Sequence, residues 1–192
     1  MSKLITPEFR VAFPSVFRAK RNDLSGKDEF SVVALFKKDA DLSALKDAAR
    51  EVLAKKFGED NLKWPKNLRN PFRDQGDRAK VNDEGVETLP SGYEKGATYL
   101  NLRSQQRPGV VASDMQEIID EADFYGGCWA RATLTAFAYD KAGNRGVSFG
   151  LGNLQKLRDG DHFGNRTRPE QDFTAVADAT GTAEQSSDDL FK

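Results

Sequence analysis

One cysteine and one histidine in 192 residues remove several chemistries at once. A single cysteine cannot form an intramolecular disulfide, and a reducing compartment is the ordinary setting for such a chain. One cysteine with one histidine cannot build a tetrahedral structural zinc site. No glycine-rich phosphate cradle and no Ser/His/Asp arrangement in recognisable context is present, so no catalysis and no cofactor are expected. Long apolar runs are missing too: no window approaches the roughly 18–20 apolar residues of a membrane helix. The opening MSKLITPEFRVAF lacks the apolar stretch of a secretion signal. A soluble cytoplasmic protein with no membrane partner is expected.

What the chain does have is phenylalanine and charge. Thirteen of its nineteen aromatic residues are Phe, 38% of residues are hydrophobic and 31% are charged, enough apolar material for the core of one domain. The net charge of −1 hides a division. Residues 169–192 carry six acids and one base, a net of −5; the other 168 residues hold 28 bases and 24 acids, a net of +4. From about Pro169 the composition turns to Asp, Ala, Thr, Ser, Gln and Glu. Such a segment buries too little apolar area to offset its ordering entropy, so disorder is expected there. The chain thus divides into a mildly basic domain, residues 1–170, and an acidic flexible tail, residues 171–192. A tail of this charge is either merely solvated or competes for a basic groove and recruits partners.

Alternating aromatic and β-branched residues predict a strand over Phe9–Arg21, with Phe9, Val11, Phe13 and Phe17 on its apolar side and an interruption at Pro14. Turn chemistry at 22–28 and a strand over 29–38 complete a hairpin. Leu42, Leu45, Ala49, Val52, Leu53 and Phe57 form a helical stripe over 42–58, with Asp41 as N-cap and Gly58 as the stop. Residues 61–97 read as irregular, 98–104 and 108–114 as short strands, and 114–124 as one or two helical turns. Two long strands, 125–140 and 145–157, flank the turn DKAGN. Strands, one inserted helix and further strands suit a five-stranded Greek-key barrel of the oligonucleotide-binding (OB) type, mainly β with long loops. A β-sandwich suits the same strand count.

The stretch YGGCWARATLTAFAYD sorts by parity. Cys128, Ala130, Ala132, Leu134, Ala136 and Ala138 share one face; Tyr125, Trp129, Arg131, Thr133, Thr135, Phe137 and Tyr139 share the other. A small barrel needs modest side chains inside, which leaves the aromatic face outside as a stacking platform for bases. The alternative puts the aromatics in the core, against which stands the cost of burying Arg131 unpaired. A second cluster is KWPKNLRNPFRDQGDRAK, where Lys63, Lys66, Arg69, Arg73, Arg78 and Lys80 interleave with Trp64 and Phe72. It reads either as a clamp on a single strand or as a solvated loop anchored by its two rings. In KLRDGDHFGNR, Asp159, Asp161 and His162 are more simply turn residues than metal ligands.

These motifs carry a family resemblance. Tyr125–Arg131, Phe137–Asp140 and GVSFGLGNLQK at Gly146–Lys156, together with NPFRDQGD at Asn70–Asp77 and the early FRVAFPSVFRAK and FSVVALFKK, resemble a family of bacteriophage single-stranded DNA-binding proteins over roughly residues 4–175. The resemblance implies an OB fold that coats single-stranded DNA during phage replication or recombination, in the cytoplasm of the infected host. It also implies an acidic tail ending in an aromatic residue, which touches polymerase or helicase and can occupy the DNA groove when DNA is absent. Asp188, Asp189, Leu190 and Phe191 fit that pattern, although Lys192 follows. On this reading Arg10, Arg18, Lys20, Lys66, Arg69, Arg73 and Arg131 neutralise phosphates. Trp64, Phe72, Tyr99, Trp129, Phe137 and Tyr139 are the aromatic contacts. Two alternatives stay open: a Mg-dependent nuclease using Asp74, Asp77, Asp159 and Asp161, and a phage structural protein with the aromatic strand as a protein interface.

Overall fold

A computed structural model of the chain describes residues 3–23, 25–83, 85–141 and 143–164. The acidic tail, with Asp188, Asp189, Leu190 and Phe191, lies outside the described residues. Five long strands dominate: β1 (Phe9–Asn22), β2 (Lys27–Leu35), β3 (Thr98–Ser104), β4 (Trp129–Lys141) and β5 (Asn144–Arg158). They pair in the closed order β1-β2-β3-β5-β4-β1. Every junction of the ring is antiparallel except β3–β5, where Gly150 faces Arg103 in parallel. This is a five-stranded Greek-key barrel of the OB type, and closure leaves the ring without an end strand.

The helix α1 (Ser43–Phe57) connects β2 to β3 and packs on β4 and β5. Its Leu45 and Ala49 enter the main core with Phe9, Phe36, Leu100, Leu102, Leu134 and Leu154. Burial of side chains this size stabilises the fold by about 1.5–3 kcal/mol each before entropy is counted. Gly58 ends the helix at φ 96, its N–H donating to the Ala54 carbonyl. Leu42 rather than Asp41 is the N-cap residue; the Asp41 carboxylate accepts from the Ser43 N–H one position early.

The parity of β4 holds in three dimensions. Cys128, Ala130, Ala132 and Leu134 are 2% exposed or less, and Ala136 is 8% exposed, whereas Arg131 and Phe137 face solvent. Two expectations differ. Residues 114–124 form only a single 3-10 turn, Glu121–Asp123, because Asp120 caps that turn through the Ala122 N–H and no apolar stripe continues it. Phe13 was expected in the apolar set of β1. The β1–β2 register slips between Ala12 and Ser15, turning Phe13 out at 68% exposure. The region 61–97 is mostly loop but holds two 3-10 turns, the pair Lys80–Val81 with Glu87–Thr88, and Arg73–Asp74, which lies beside β3.

Two outcomes check this packing. Leu45→Ala, at a site with no exposure, lowers unfolding free energy by about 2–5 kcal/mol in a urea titration. Burial pushes the Cys128 thiol up to about 11, so the reactive thiolate stays scarce in the folded protein. Alkylation by iodoacetamide at pH 8 is therefore slow in the native protein and fast in urea.

Candidate nucleic-acid interface

The outer face of β1 and β2 meets the start of β4 at Arg10, which pairs in register with both Leu35 and Trp129. The Arg10 guanidinium does not find a carboxylate there. Its Nε donates to the Gly127 carbonyl at 3.1 Å and its Nη2 to the Asp161 carbonyl at 2.7 Å. Its Cζ sits 5.3 Å from the Trp129 ring centroid and 4.6 Å from that of Phe163. Lys37 and Arg158 approach the same indole, at 4.8 and 4.2 Å. Arg158 is also paired with Glu8. Three cations around one indole make an electropositive aromatic site, each contact worth about 0.5–1 kcal/mol when solvent-exposed.

Glycines make this crossing possible. The segment 159–163 runs so close over 126–127 that a Cβ at Gly127, where φ is 114, would lie 1.9 Å from the Asp161 carbonyl oxygen. A Cβ at Gly92 would lie 2.0 Å from the Phe163 ring. Phe163 is tied down by its N–H to the Gly126 carbonyl at 2.9 Å. Tyr125 secures the same segment, donating to Asp159 at 2.8 Å and stacking on His162 with centroids 3.7 Å apart.

Beside this junction opens a cleft of about 530 Å³, whose charged lining is Arg10, Lys37, Lys38, Asp39 and Glu94, with Leu35 and Trp129 among its apolar walls. Gln75 lies under it, fully occupied: its amide N–H groups go to the Phe36 and Thr98 carbonyls, and its oxygen accepts from the Glu94 N–H. An outer apolar cluster of Ala12, Leu35 and Tyr99 continues the surface, with Val33, Tyr93 and Phe163 packed on it. Arg78 donates to the Tyr99 hydroxyl at 3.1 Å and stacks on its ring. Partial burial raises the Tyr93 hydroxyl above its ordinary pKa.

The residues expected from sequence fall into separate places. Arg10 and Trp129 form the junction itself. Tyr99 is 5% exposed and serves as the floor next to it, with Arg73 its register partner at the surface. Arg18 and Lys20 lie at the far end of β1; Lys20 joins Arg21, Asp23, Glu29 and Arg103 around a second, smaller pocket of about 240 Å³, in which Glu29 pairs with Arg103, and Arg18 pairs with Glu121 at 3.8 Å. Arg131 is exposed and bonded to Gln155 at 2.8 Å. Phe137 and Tyr139 sit at the hairpin end of β4, eight and ten residues from Trp129, so Phe137 is about 26 Å away. Arg69 bridges to that same end through Gly146.

Trp64 and Phe72 hold the basic loop in place. The Trp64 indole donates to the Gly58 carbonyl at 2.7 Å, and Phe72 packs edge-on against Phe149 with centroids 5.7 Å apart. Lys66 is exposed on that loop. Lys37, Lys38, Arg158 and Phe163 join the junction without any signal in sequence periodicity. The dense glycines around 126–127 and at 160 were the visible trace of the crossing.

Of the four acids considered for a nuclease, Asp74, Asp77, Asp159 and Asp161, the carboxylates of Asp74 and Asp159 are taken up by partners within the fold. Asp74 accepts from the Gly76 and Gly96 N–H groups at 2.6 and 3.1 Å, which holds its carboxyl below the ordinary range. Asp159 takes Tyr125 and Lys156, and Asp161 takes Arg10 through its backbone. Among the described residues no three His, Cys, Asp or Glu side chains converge to hold a metal ion.

An OB-type barrel bearing one aromatic, cation-ringed groove on its outer face is the class of protein this geometry defines. Residues 2–189 match the family described as Enterobacter phage Enc34, ssDNA-binding protein, and the chain belongs to that family. The structure is similar to that of the single-stranded DNA-binding protein from bacteriophage Enc34 in complex with ssDNA, with a TM-score of 0.62 and 19% identity over 84% of this chain and 89% of that one. It is similar as well to gp2.5, a single-stranded DNA binding protein encoded by bacteriophage T7, with a TM-score of 0.60 and 13% identity over 95% and 99% of the two chains. A putative protein p50 of Acyrthosiphon pisum secondary endosymbiont phage 1 is 30% identical over 159 residues, 80% of this chain and 82% of that protein.

Arg10 and Glu8 should differ sharply on mutation. Arg10→Ala orphans the Gly127 and Asp161 carbonyls and costs about 1.5–3 kcal/mol of stability. Glu8→Gln loses only a half-exposed pair and changes stability by less than about 1 kcal/mol. Urea titrations of the two variants measure the contrast.

Proposed function

We propose that this chain binds single-stranded DNA without reading its sequence, as a coat on DNA during phage replication or recombination in the host cytoplasm. The observation that carries the reading is the Trp129 junction, a half-buried indole ringed by Arg10, Lys37 and Arg158 at the mouth of the cleft. Bases stack on aromatic rings whatever their identity, at about 1–3 kcal/mol each, while cations beside the rings take the phosphates. Membership of a family described as ssDNA-binding supports the same ligand. The strand runs from the cleft along the outer face of β1 and β2 toward Lys20 and Arg21. Strand 2, strand 3 and the loop between strands 1 and 2 form the usual oligonucleotide face of OB barrels. No step of this function is chemical.

The candidate contacts then divide by place. Arg10, Trp129, Tyr99 and Arg73 belong to the cleft, and Arg18 and Lys20 to the exit. Arg131, Phe137, Tyr139, Arg69, Lys66, Trp64 and Phe72 are peripheral contacts or supports. Residues 171–192 act as a separate acidic segment, whose Asp188, Asp189, Leu190 and Phe191 engage replication or recombination proteins and compete with DNA for the cleft.

Fluorescence anisotropy of labelled oligo(dT) tests this. If Arg10, Lys37, Lys38 and Arg158 each meet one phosphate, log affinity falls with log salt at a slope of about −3. Trp129→Ala weakens binding by about 1–3 kcal/mol. A slope near zero, or full affinity in Trp129→Ala, contradicts the reading.

A further inference from the structure

Phe13 combines two features that rarely occur together. Its φ is 46, in the left-handed region, and its ring is 68% exposed. An exposed aromatic alone needs no explanation. A bulky residue held at positive φ is an outlier, since that backbone costs a phenylalanine free energy and a glycine almost none. The apolar core does not repay the strain, because the ring is not in the core. The strain comes from the bulge at Phe13–Pro14, where β1 slips against β2 between Ala12 and Ser15. Bulges of this kind re-aim a side chain, and stored backbone strain gathers at ligand-contacting positions.

The surroundings specify the ligand. Three residues before Phe13, Arg10 lies under Phe163 and beside Trp129, about 10 Å along the strand. Its immediate neighbour Ala12 belongs to the outer cluster beneath Phe163. Beyond it, β1 runs on to Lys20 and Arg21, which line the second pocket with Asp23, Glu29 and Arg103; Glu29 pairs with Arg103, and Lys20 and Arg21 form none of the ion pairs among the described residues. A ring flanked by cations on both sides along one strand fits a polyanion that itself carries flat rings. An apolar protein surface docked there would have to strip water from Arg10, Lys20 and Arg21 and bring no carboxylate in exchange.

We propose that Phe13 is a base-stacking side chain, held in a strained bulge between Arg10 on one side and Lys20 and Arg21 on the other, so that a nucleobase of the bound strand rests on its ring. The proposal rests on the single-stranded DNA reading above. Phe13→Gly separates function from folding, since it relieves the strained φ while removing the ring. Phe13→Asn tolerates the same backbone and removes the ring without adding glycine flexibility. Phe13→Tyr keeps the ring. Each variant and the wild type are titrated into labelled oligo(dT), and urea unfolding is followed in parallel.

The expected result is that Phe13→Gly and Phe13→Asn bind roughly tenfold more weakly, while Phe13→Tyr binds as wild type. Phe13→Gly should also unfold at an equal or higher urea concentration. Wild-type affinity in both ringless variants overturns the proposal, with the DNA-binding reading intact. The same affinity accompanied by a loss of self-association in sedimentation would make Phe13 a protein contact and overturn it equally. Failure of the wild type itself to bind oligo(dT) removes the DNA-binding reading, and the proposal falls with it.

Discussion

The contact between the Arg10 guanidinium and two backbone carbonyls, Gly127 and Asp161, organises the functional face. It joins three stretches of chain that lie far apart in sequence: β1, the glycine turn before β4, and the segment after β5. The planar fork of arginine is suited to such a bridge, offering several donors in one plane and a flat surface for rings on either side. Trp129 and Phe163 both lie against it, with centroids 5.3 and 4.6 Å from Cζ. Lysine could supply the charge but neither the fork nor the plane.

The choice of carbonyl acceptors has an electrostatic consequence. Arg103, Arg145 and Arg18 each lie within 4 Å of a carboxylate, on Glu29, Asp140 and Glu121, so their charge is largely balanced locally. Arg10 is held by neutral partners and its charge is left unbalanced, as is that of Lys37, which forms none of the ion pairs among the described residues. Arg158 is intermediate, shared between Glu8 and the indole. A protein with a net charge of −1 can therefore still present a locally positive cleft, and local field rather than net charge governs a polyanion at close range.

Much of this was legible in the residues. The small-in, large-out parity of β4 follows from the volume limits of a small barrel, and Ala130, Ala132 and Arg131 obey it. The amphipathic stripe of α1 fixed the helix to within a residue at each end. The platform was legible as a face but not as a site, because strand parity says which side a ring is on and not how far along the barrel it lies. Trp129 and Phe137 share a side and serve different ends. The basic loop misled for a related reason: Trp64 and Phe72 look like stacking rings in sequence, but α1 and Phe149 offer them partners within the fold. Phe13 escaped because alternation assumes an unbroken pleat, and one bulged residue reverses it. Lys37, Arg158 and Phe163 reach the cleft only through ring closure, which no local pattern encodes.

The central claim is that single-stranded DNA is bound at Trp129. The most direct measurement is intrinsic fluorescence of Trp64→Phe, which leaves Trp129 as the sole tryptophan, during titration with oligo(dT) at low and high salt. The account predicts saturable quenching at low salt that is reversed by added salt, and no such quenching in Trp129→Phe, which retains Trp64. Quenching confined to the protein that retains Trp64, or binding in a gel shift with no response from Trp129, would contradict it.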